Sequence, residues 1–197
     1  MTLHKCNILR VLSKKLGSNL EGQDADAAVV LLVRLEGDAL KTLLVKRVEN
    51  TIDPWSGDMA LPGGKRAPQD RSILQTVVRE TSEETGIDLL NPHCHLLGTL
   101  GVFRSTRRPE LKVLPFIGML DKEPSIALGD ELESYIWIGV NELTKSHGVA
   151  EIEGRCVPAF IVGKNVIWGL TFRILERFTR RLGSCTAQEI MFDRGQA

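Results

Sequence analysis

The sequence has little of several features on which particular classes of protein depend. It has only four cysteines in 197 residues and no Cys-x-x-Cys pair, which argues against a disulfide-stapled secreted scaffold or a cysteine-rich zinc module. Basic and acidic residues balance at 25 each, so no net charge favours nucleic acid or an anionic membrane as a partner. No apolar run is long enough to span a bilayer. We therefore expect one cytoplasmic domain with reduced thiols and a small-molecule partner.

The two ends of the chain are set apart from this domain by their pattern. Residues 1–20 contain basic residues, no acid and an amphipathic spacing of leucine and isoleucine. This pattern predicts a packed N-terminal helix, and an organellar targeting segment is the alternative. The predicted divisions are an N-terminal segment 1–22, a domain 23–183 and a weakly patterned tail 184–197.

Hydrophobic periodicity predicts an α/β fold with a mixed sheet flanked by helices. Apolar and β-branched runs predict strands, and apolar residues at helical spacing predict helices. The predicted strands are 27–35, 40–47, 59–61, 95–103, 111–120, 135–140, 159–162 and 165–168. The predicted helices begin after Asp70, at Asn141 and at Gly169, and the last ends at Leu182.

The helix after Asp70 carries an acidic cluster. Glu80, Glu83 and Glu84 stand at positions i, i+3 and i+4, which share one side of a helix at the border of its apolar stripe. Asp70 is the predicted N-cap, and Gly86 is the residue expected to end the helix in a left-handed conformation. A solvated acidic face is the alternative for the cluster taken alone. Clustered carboxylates repel, however, and a divalent cation held by oxygen ligands relieves the repulsion.

The surrounding residues favour the metal site. Gly63-Gly64 precedes the helix, and Arg79-Glu80-Thr81-Ser82-Glu83-Glu84-Thr85-Gly86 forms the second half of the helix and its end. This arrangement closely resembles the Nudix box, the signature of hydrolases that cleave diphosphates linked to another group. The resemblance implies the Nudix fold, an α/β/α sandwich, and a requirement for Mg²⁺ or Mn²⁺.

Several departures from the common pattern resemble the coenzyme A pyrophosphatase branch. Eight residues separate Asp70 from Arg79, one more than usual, and the first acid is Asp. The lead-in Ser56-Gly57-Asp58-Met59-Ala60-Leu61-Pro62-Gly63-Gly64 and the later Ile167-Trp168-Gly169-Leu170-Thr171 also look like that branch. Asp53 stands about where the branch has an Arg, which would weaken binding of a 3′-phosphate. Asp70 caps the helix, pairs with Arg79, or does both.

The resemblance also implies roles for individual residues. Glu80 and Glu84 are the main metal ligands, Glu83 is a third or water-mediated one, and the Gly63 carbonyl is a further candidate. Arg79 either braces the loop or, less favoured, touches substrate. Glu131 is a candidate general base, and a solvated loop acid is the equally weighted alternative. Glu83, Glu84, Glu131 and Arg79 are thus the candidate catalytic residues.

Basic side chains are the candidate contacts for substrate phosphates. Arg47 is the first choice, because it stands at the end of a predicted strand, at a place where related enzymes have Arg. The others are Lys46, Lys65, Arg104, Arg107 and Arg108, each of which is alternatively solvated.

The substrate class follows less directly from the sequence. Coenzyme A or its thioesters is the leading substrate, and ADP-ribose, NADH, FAD or a dinucleotide is the alternative. A nucleotide-binding module without hydrolysis is a third possibility, although such modules usually lose a metal-binding Glu. The family and the apolar segments that carry tryptophan are compatible with a homodimer.

Overall fold

A computed structural model describes residues 24–49, 57–105 and 107–183. The predicted segments 1–22 and 184–197, and Asp53, lie outside the described residues. The strands are β1 Ala27–Glu36, β2 Ala39–Arg47, β3 Met59–Ala60, β4 Gly63–Lys65, β5 Cys94–Thr99, β6 Phe103–Arg104, β7 Lys112–Leu120, β8 Leu132–Gly139, β9 His147–Ile152, β10 Arg155–Val162 and β11 Asn165–Trp168. The helices are α1 Ile73–Thr85, α2 Val140–Lys145 and α3 Gly169–Gly183. No helix within the described ranges is long and apolar enough to cross a bilayer.

Strand β1 lies at the centre of a mixed sheet. It pairs antiparallel with β2 and parallel with β7. The order β3-β2-β1-β7-β5 is completed by β8 beside β2, β6 beside β7 and β4 beside β1. Strands β9, β10 and β11 form a smaller antiparallel sheet.

The side chains of β1 are buried on both faces of the sheet. Successive residues of a strand point to opposite faces. Val30 accordingly packs in the cluster that contains Val77 of α1, whereas Leu31 packs in the cluster that contains Phe178 of α3. Because both faces of β1 are covered, nearly all of its side chains are apolar, which explains the continuous apolar run in the sequence. The predicted α/β/α sandwich with a mixed sheet is confirmed.

Helix α1 begins later than predicted. Its N-cap is Ser72, whose hydroxyl accepts a hydrogen bond from the backbone N–H of Gln75 at 3.1 Å. The prediction that Asp70 is the N-cap is wrong, because its carboxylate accepts from the Arg79 guanidinium and from the Ala67 N–H, which precede or lie away from the helix start. The alternative, that Asp70 pairs with Arg79, is the one found. Gly86 ends the helix as predicted, with φ of 71° and its N–H donating to the Ser82 carbonyl at 2.9 Å.

Two parts of the sheet differ from the predicted strands. The run 95–103 forms two strands, because the register shifts near Gly98 and the chain leaves the sheet between Thr99 and Phe103. Pro115 of β7 lies opposite this gap, and its carbonyl accepts the N–H of Leu100 at 3.0 Å. Proline cannot donate to a neighbouring strand, so a break there is expected. Strand β9 was not predicted, because its burial alternates with exposure and its apolar signal is weak.

Candidate active site

A cavity of about 420 Å³ lies between α1, the sheet and the beginning of α3. Its charged lining residues fall into two groups. The first contains Arg47, Lys65, Glu80, Glu84 and Glu131. The second contains Asp58 and Arg107, together with the indole of Trp168.

The glycine turn of β4 fits closely against α1 and β1. Gly63 has φ of 138°, and a Cβ there would lie 2.2 Å from the carbonyl oxygen of Ala28, so only glycine suits the position. Its N–H donates to Glu84 Oε2 at 2.8 Å. A Cβ on Gly64 would lie 2.3 Å from Glu80 Oε2. The backbone therefore comes close to the carboxylates of Glu80 and Glu84, which stand one helical turn apart on α1.

Burial makes negative charge costly at these carboxylates. Glu84 is 8% exposed, and burial raises the pKa of its carboxyl to about 7. The Gly63 N–H and the Arg47 guanidinium oppose this rise, whereas Glu80 and Glu131 add to it. Burial also raises the pKa of Glu80, against the lowering effect of Arg79. A cation between these groups would favour their ionised forms.

The donor set fits a hard divalent cation that is completed by water and substrate. Within residues 24–49, 57–105 and 107–183, no three His, Cys, Asp or Glu side chains form a metal-binding group by themselves. Mg²⁺ typically takes one or two carboxylates and fills its remaining positions with water and substrate phosphates. The Glu80 and Glu84 carboxylates and the space that Gly64 leaves open beside Glu80 match this requirement.

Arg79 braces the turn against the helix. Its guanidinium donates to both Asp70 carboxylate oxygens at 3.0 and 2.9 Å and to the Lys65 carbonyl at 3.3 Å. It also forms ion pairs with Glu80 and Glu83, each at 2.9 Å. Arg79 holds the pKa of the Asp70 carboxyl well below its usual range. These contacts fix the loop between β4 and α1, which carries the extra residue.

Not every predicted residue reaches the cavity. Glu83 does not line it, and its side chain is 60% exposed and paired with Arg79. Arg104 is exposed on β6 and donates to the Pro109 carbonyl at 3.1 Å. Lys46 pairs with Glu133 at 2.7 Å. Neither these two basic residues nor Arg108 is among the lining residues.

Arg47, Lys65 and Glu131 do line the cavity. Arg47 Nη2 lies 3.3 Å from Glu131 Oε2, and its Nη1 lies 3.8 Å from Glu84 Oε1. Arg47 thus stands between two acidic side chains of the lining. The Glu131 side chain is 73% exposed, which leaves it accessible to water.

Asp58 and Trp168 were not predicted as site residues. Asp58 Oδ1 accepts the indole N–H of Trp168 at 2.9 Å, and Oδ2 accepts from Arg107 at 3.2 Å. Both residues lie in the segments that resemble the coenzyme A pyrophosphatase branch, which was the available signal. Their contact joins positions 110 residues apart, so local spacing could not reveal it.

Comparison with protein families gives a match to the NUDIX domain over residues 24–160. The chain belongs to the Nudix family. Membership makes it a hydrolase that acts on phosphoanhydride bonds, and Nudix hydrolases generally use divalent metal ions. The matched range includes the glycine turn, α1 and the strand that Glu131 precedes.

Relatives of this Nudix hydrolase are found at modest identity. Mitochondrial coenzyme A diphosphatase NUDT8 of Mus musculus is 27% identical over 175 residues, which cover 85% of this chain and 82% of the relative. An uncharacterized protein of Schizosaccharomyces pombe is 41% identical over 106 residues, which are 51% of this chain but only 32% of that protein. The structure of a Caenorhabditis elegans Ap4A hydrolase superposes with a TM-score of 0.54 at 17% identity, covering 82% of this chain and all of the other. That similarity concerns the fold alone.

Proposed function

We propose that this Nudix hydrolase cleaves the diphosphate of coenzyme A or its thioesters, releasing 3′,5′-ADP and a 4′-phosphopantetheine. The observation that carries the proposal is the similarity to the mouse coenzyme A diphosphatase, which extends over most of both chains. It is supported by the lead-in before Gly63 and by the segment from Ile167 to Thr171. The mouse enzyme is named mitochondrial; for this chain, the cytoplasmic location and the homodimer stay predictions.

In the proposed site, Glu80 and Glu84 hold Mg²⁺ or Mn²⁺, with the Gly63 carbonyl as a further ligand and Glu83 acting through water. When bound, the ion neutralises phosphate charge and makes water a better nucleophile. Arg79 acts as a positioning residue, because its contacts hold the loop and Glu80 in place. The Gly63 N–H holds one oxygen of the Glu84 carboxylate, which would leave the other oxygen for the metal ion.

The remaining charged residues act on the substrate and the water. Arg47 and Lys65 contact the diphosphate oxygens, which lowers the repulsion that an attacking oxygen meets. Glu131 takes a proton from the attacking water as its oxygen bonds to phosphorus and the bridging P–O bond breaks. The leaving phosphate departs with the bridging oxygen. Exposure leaves the Glu131 carboxylate accessible to a water at the cavity, and the contact with Arg47 holds the side chain there.

A substrate panel tests the proposal. The purified protein is incubated with Mg²⁺ or Mn²⁺ and coenzyme A, acetyl-coenzyme A, ADP-ribose, NADH, FAD, Ap4A or dNTPs, and products are separated by chromatography. We expect the highest kcat/KM with coenzyme A or acetyl-coenzyme A, and a kcat lower by roughly 10²–10³-fold with the Glu84→Gln variant. A higher kcat/KM for ADP-ribose, NADH, FAD or a dinucleotide would replace the coenzyme A assignment by that alternative.

A further inference from the structure

In the second charged group of the cavity, one guanidinium lies against an aromatic ring and pairs with two carboxylates. The Arg107 guanidinium carbon lies 4.7 Å from the centre of the Trp168 ring, in cation–π contact. Arg107 is also paired with Asp58 at 3.2 Å and with Glu153 at 2.9 Å. The indole N–H is fixed by Asp58. We call Asp58, Arg107 and Trp168 the indole–guanidinium platform.

The platform is poorly suited to a phosphate. Two carboxylates share one guanidinium, so their formal charges leave the group negative rather than positive. Arg107 Nη1 donates to Asp58 and Nη2 donates to Glu153, so a phosphate at the remaining guanidinium N–H groups would lie beside two carboxylates that repel it. This differs from the phosphate contact that the sequence predicted for Arg107.

The platform is well suited to an uncharged planar ring. Indole rings and guanidinium planes are the two surfaces on which nucleobases most readily stack in proteins. Trp168 and Arg107 both line the cavity, and the aliphatic side chains of Leu111, Leu170 and Ile174 line it with them. Hydrogen bonds at both ends of the pair hold the two planes in place before a ligand arrives, which reduces the entropy lost on binding.

We propose that the indole–guanidinium platform binds the nucleobase of the substrate, and that Trp168 is the residue that favours a substrate with a base over one without it. The proposal rests on the proposed function for the identity of the remaining substrate. Trp168 supplies the stacking surface, and Asp58 is a positioning residue that holds both Trp168 and Arg107. The acidic group around Glu84 then receives the diphosphate.

The chain offers a matched control for Trp168. Trp137 of β8 has the same kind of contact, with the Arg34 guanidinium carbon 4.7 Å from its ring centre. Trp137 is not among the residues that line the cavity. Leucine at either position removes the aromatic surface and leaves an apolar side chain, so the two variants differ in whether the lost ring faces the cavity.

The test measures binding rather than turnover. Dissociation constants are determined by calorimetry with Mg²⁺ for AMP, for ribose 5-phosphate, which is AMP without its base, and for 4′-phosphopantetheine. None of these contains an anhydride to cleave. Because stacking on one base is worth roughly 1–3 kcal/mol, we expect AMP to bind about tenfold or more tightly than ribose 5-phosphate. Trp168→Leu should abolish this preference, Trp168→Phe should keep part of it, and Trp137→Leu should keep all of it.

Three outcomes would overturn the inference. The first is equal affinity for AMP and ribose 5-phosphate. The second is an AMP preference that survives Trp168→Leu in a protein with an unchanged melting curve. The third is an affinity for 4′-phosphopantetheine, and not for AMP, that depends on Trp168. The result separates this inference from the proposed function. A Trp168-dependent AMP preference without cleavage of coenzyme A supports the platform and rejects the substrate, whereas cleavage without the preference does the reverse.

Discussion

Replacing Gly64 by alanine tests how the glycine turn and Glu80 are fitted to each other. The new Cβ would lie 2.3 Å from Glu80 Oε2 and 2.4 Å from its carboxyl carbon. Ordinary van der Waals contact begins near 3.4 Å, so the carboxylate must retreat by about 1 Å. A misplacement of about 1 Å in a catalytic group costs on the order of 100-fold in rate. We therefore expect kcat/KM with Mg²⁺ to fall about 100-fold.

The same substitution should leave the fold intact. Gly64 does not have a positive φ, and the atoms in its way belong to the end of a flexible side chain. The free energy of unfolding should change by less than about 1 kcal/mol. Gly63→Ala is the contrasting variant, since its Cβ would meet the Ala28 carbonyl oxygen at 2.2 Å at a φ of 138°. It should lose about 3 kcal/mol or more.

The assay pairs initial rates at saturating Mg²⁺ with thermal melting monitored by circular dichroism. Gly183→Ala is the control, because a Cβ at the end of α3 would meet no atom of the described residues within 4 Å. It should match the parent protein in both measurements. A Gly64→Ala protein with unchanged kcat/KM would refute the placement of Glu80 against this turn. A Gly64→Ala protein as unstable as Gly63→Ala would refute the argument that a flexible side chain absorbs the contact.

Three further predictions follow from the ionic contacts. Glu84→Gln keeps the side-chain shape but removes a charge, so it should lower kcat by roughly 10²–10³-fold with little change in melting temperature; unchanged turnover would exclude Glu84 as a ligand. Asp70→Asn should cost about 3 kcal/mol of unfolding free energy at pH 7, because Arg79 loses a buried partner. The pKa of the Asp70 carboxyl is depressed in the folded protein, so its contribution is full above its ordinary value of 3.8 and is lost as pH falls through the lower folded value. Chemical denaturation from pH 7 to pH 2 should therefore narrow the difference between the two proteins, and a constant difference would contradict the pairing. Glu131→Gln should lower kcat by roughly 10²–10⁴-fold while KM changes little, and an unchanged kcat would assign the base elsewhere.

The sequence predicted the parts of the fold that depend on local pattern. The run 27–35 is apolar throughout because β1 is covered on both faces, and α1 is marked by an apolar stripe and a terminal glycine. The glycine pair and the acidic run that begins at Arg79 sufficed to identify the box. Helical spacing places Glu80 and Glu84 on one side of α1, and that side meets the cavity.

Competing contacts explain what the sequence did not predict. Both Asp70 and Ser72 are good N-cap residues, and the partners of the Asp70 carboxylate, the Arg79 guanidinium and the Ala67 N–H, lie outside any local capping pattern. Glu83 shares the helical side of Glu80 in the sequence pattern, yet its side chain is 60% exposed and lies outside the cavity lining. The contact between Asp58 and Trp168 depends on how β3 and β11 meet, which no local window contains.

The turn between β9 and β10 has a consequence for substrate choice. Glu153 lies in this turn with φ of 52° and reaches Arg107 at 2.9 Å, although it belongs to the smaller sheet. A change of length or sequence in this turn would alter the position of the Arg107 guanidinium and leave the residues proposed to hold the metal unchanged. If the proposed roles hold, substrate preference and catalytic power depend on separate stretches of the chain and can change independently of each other.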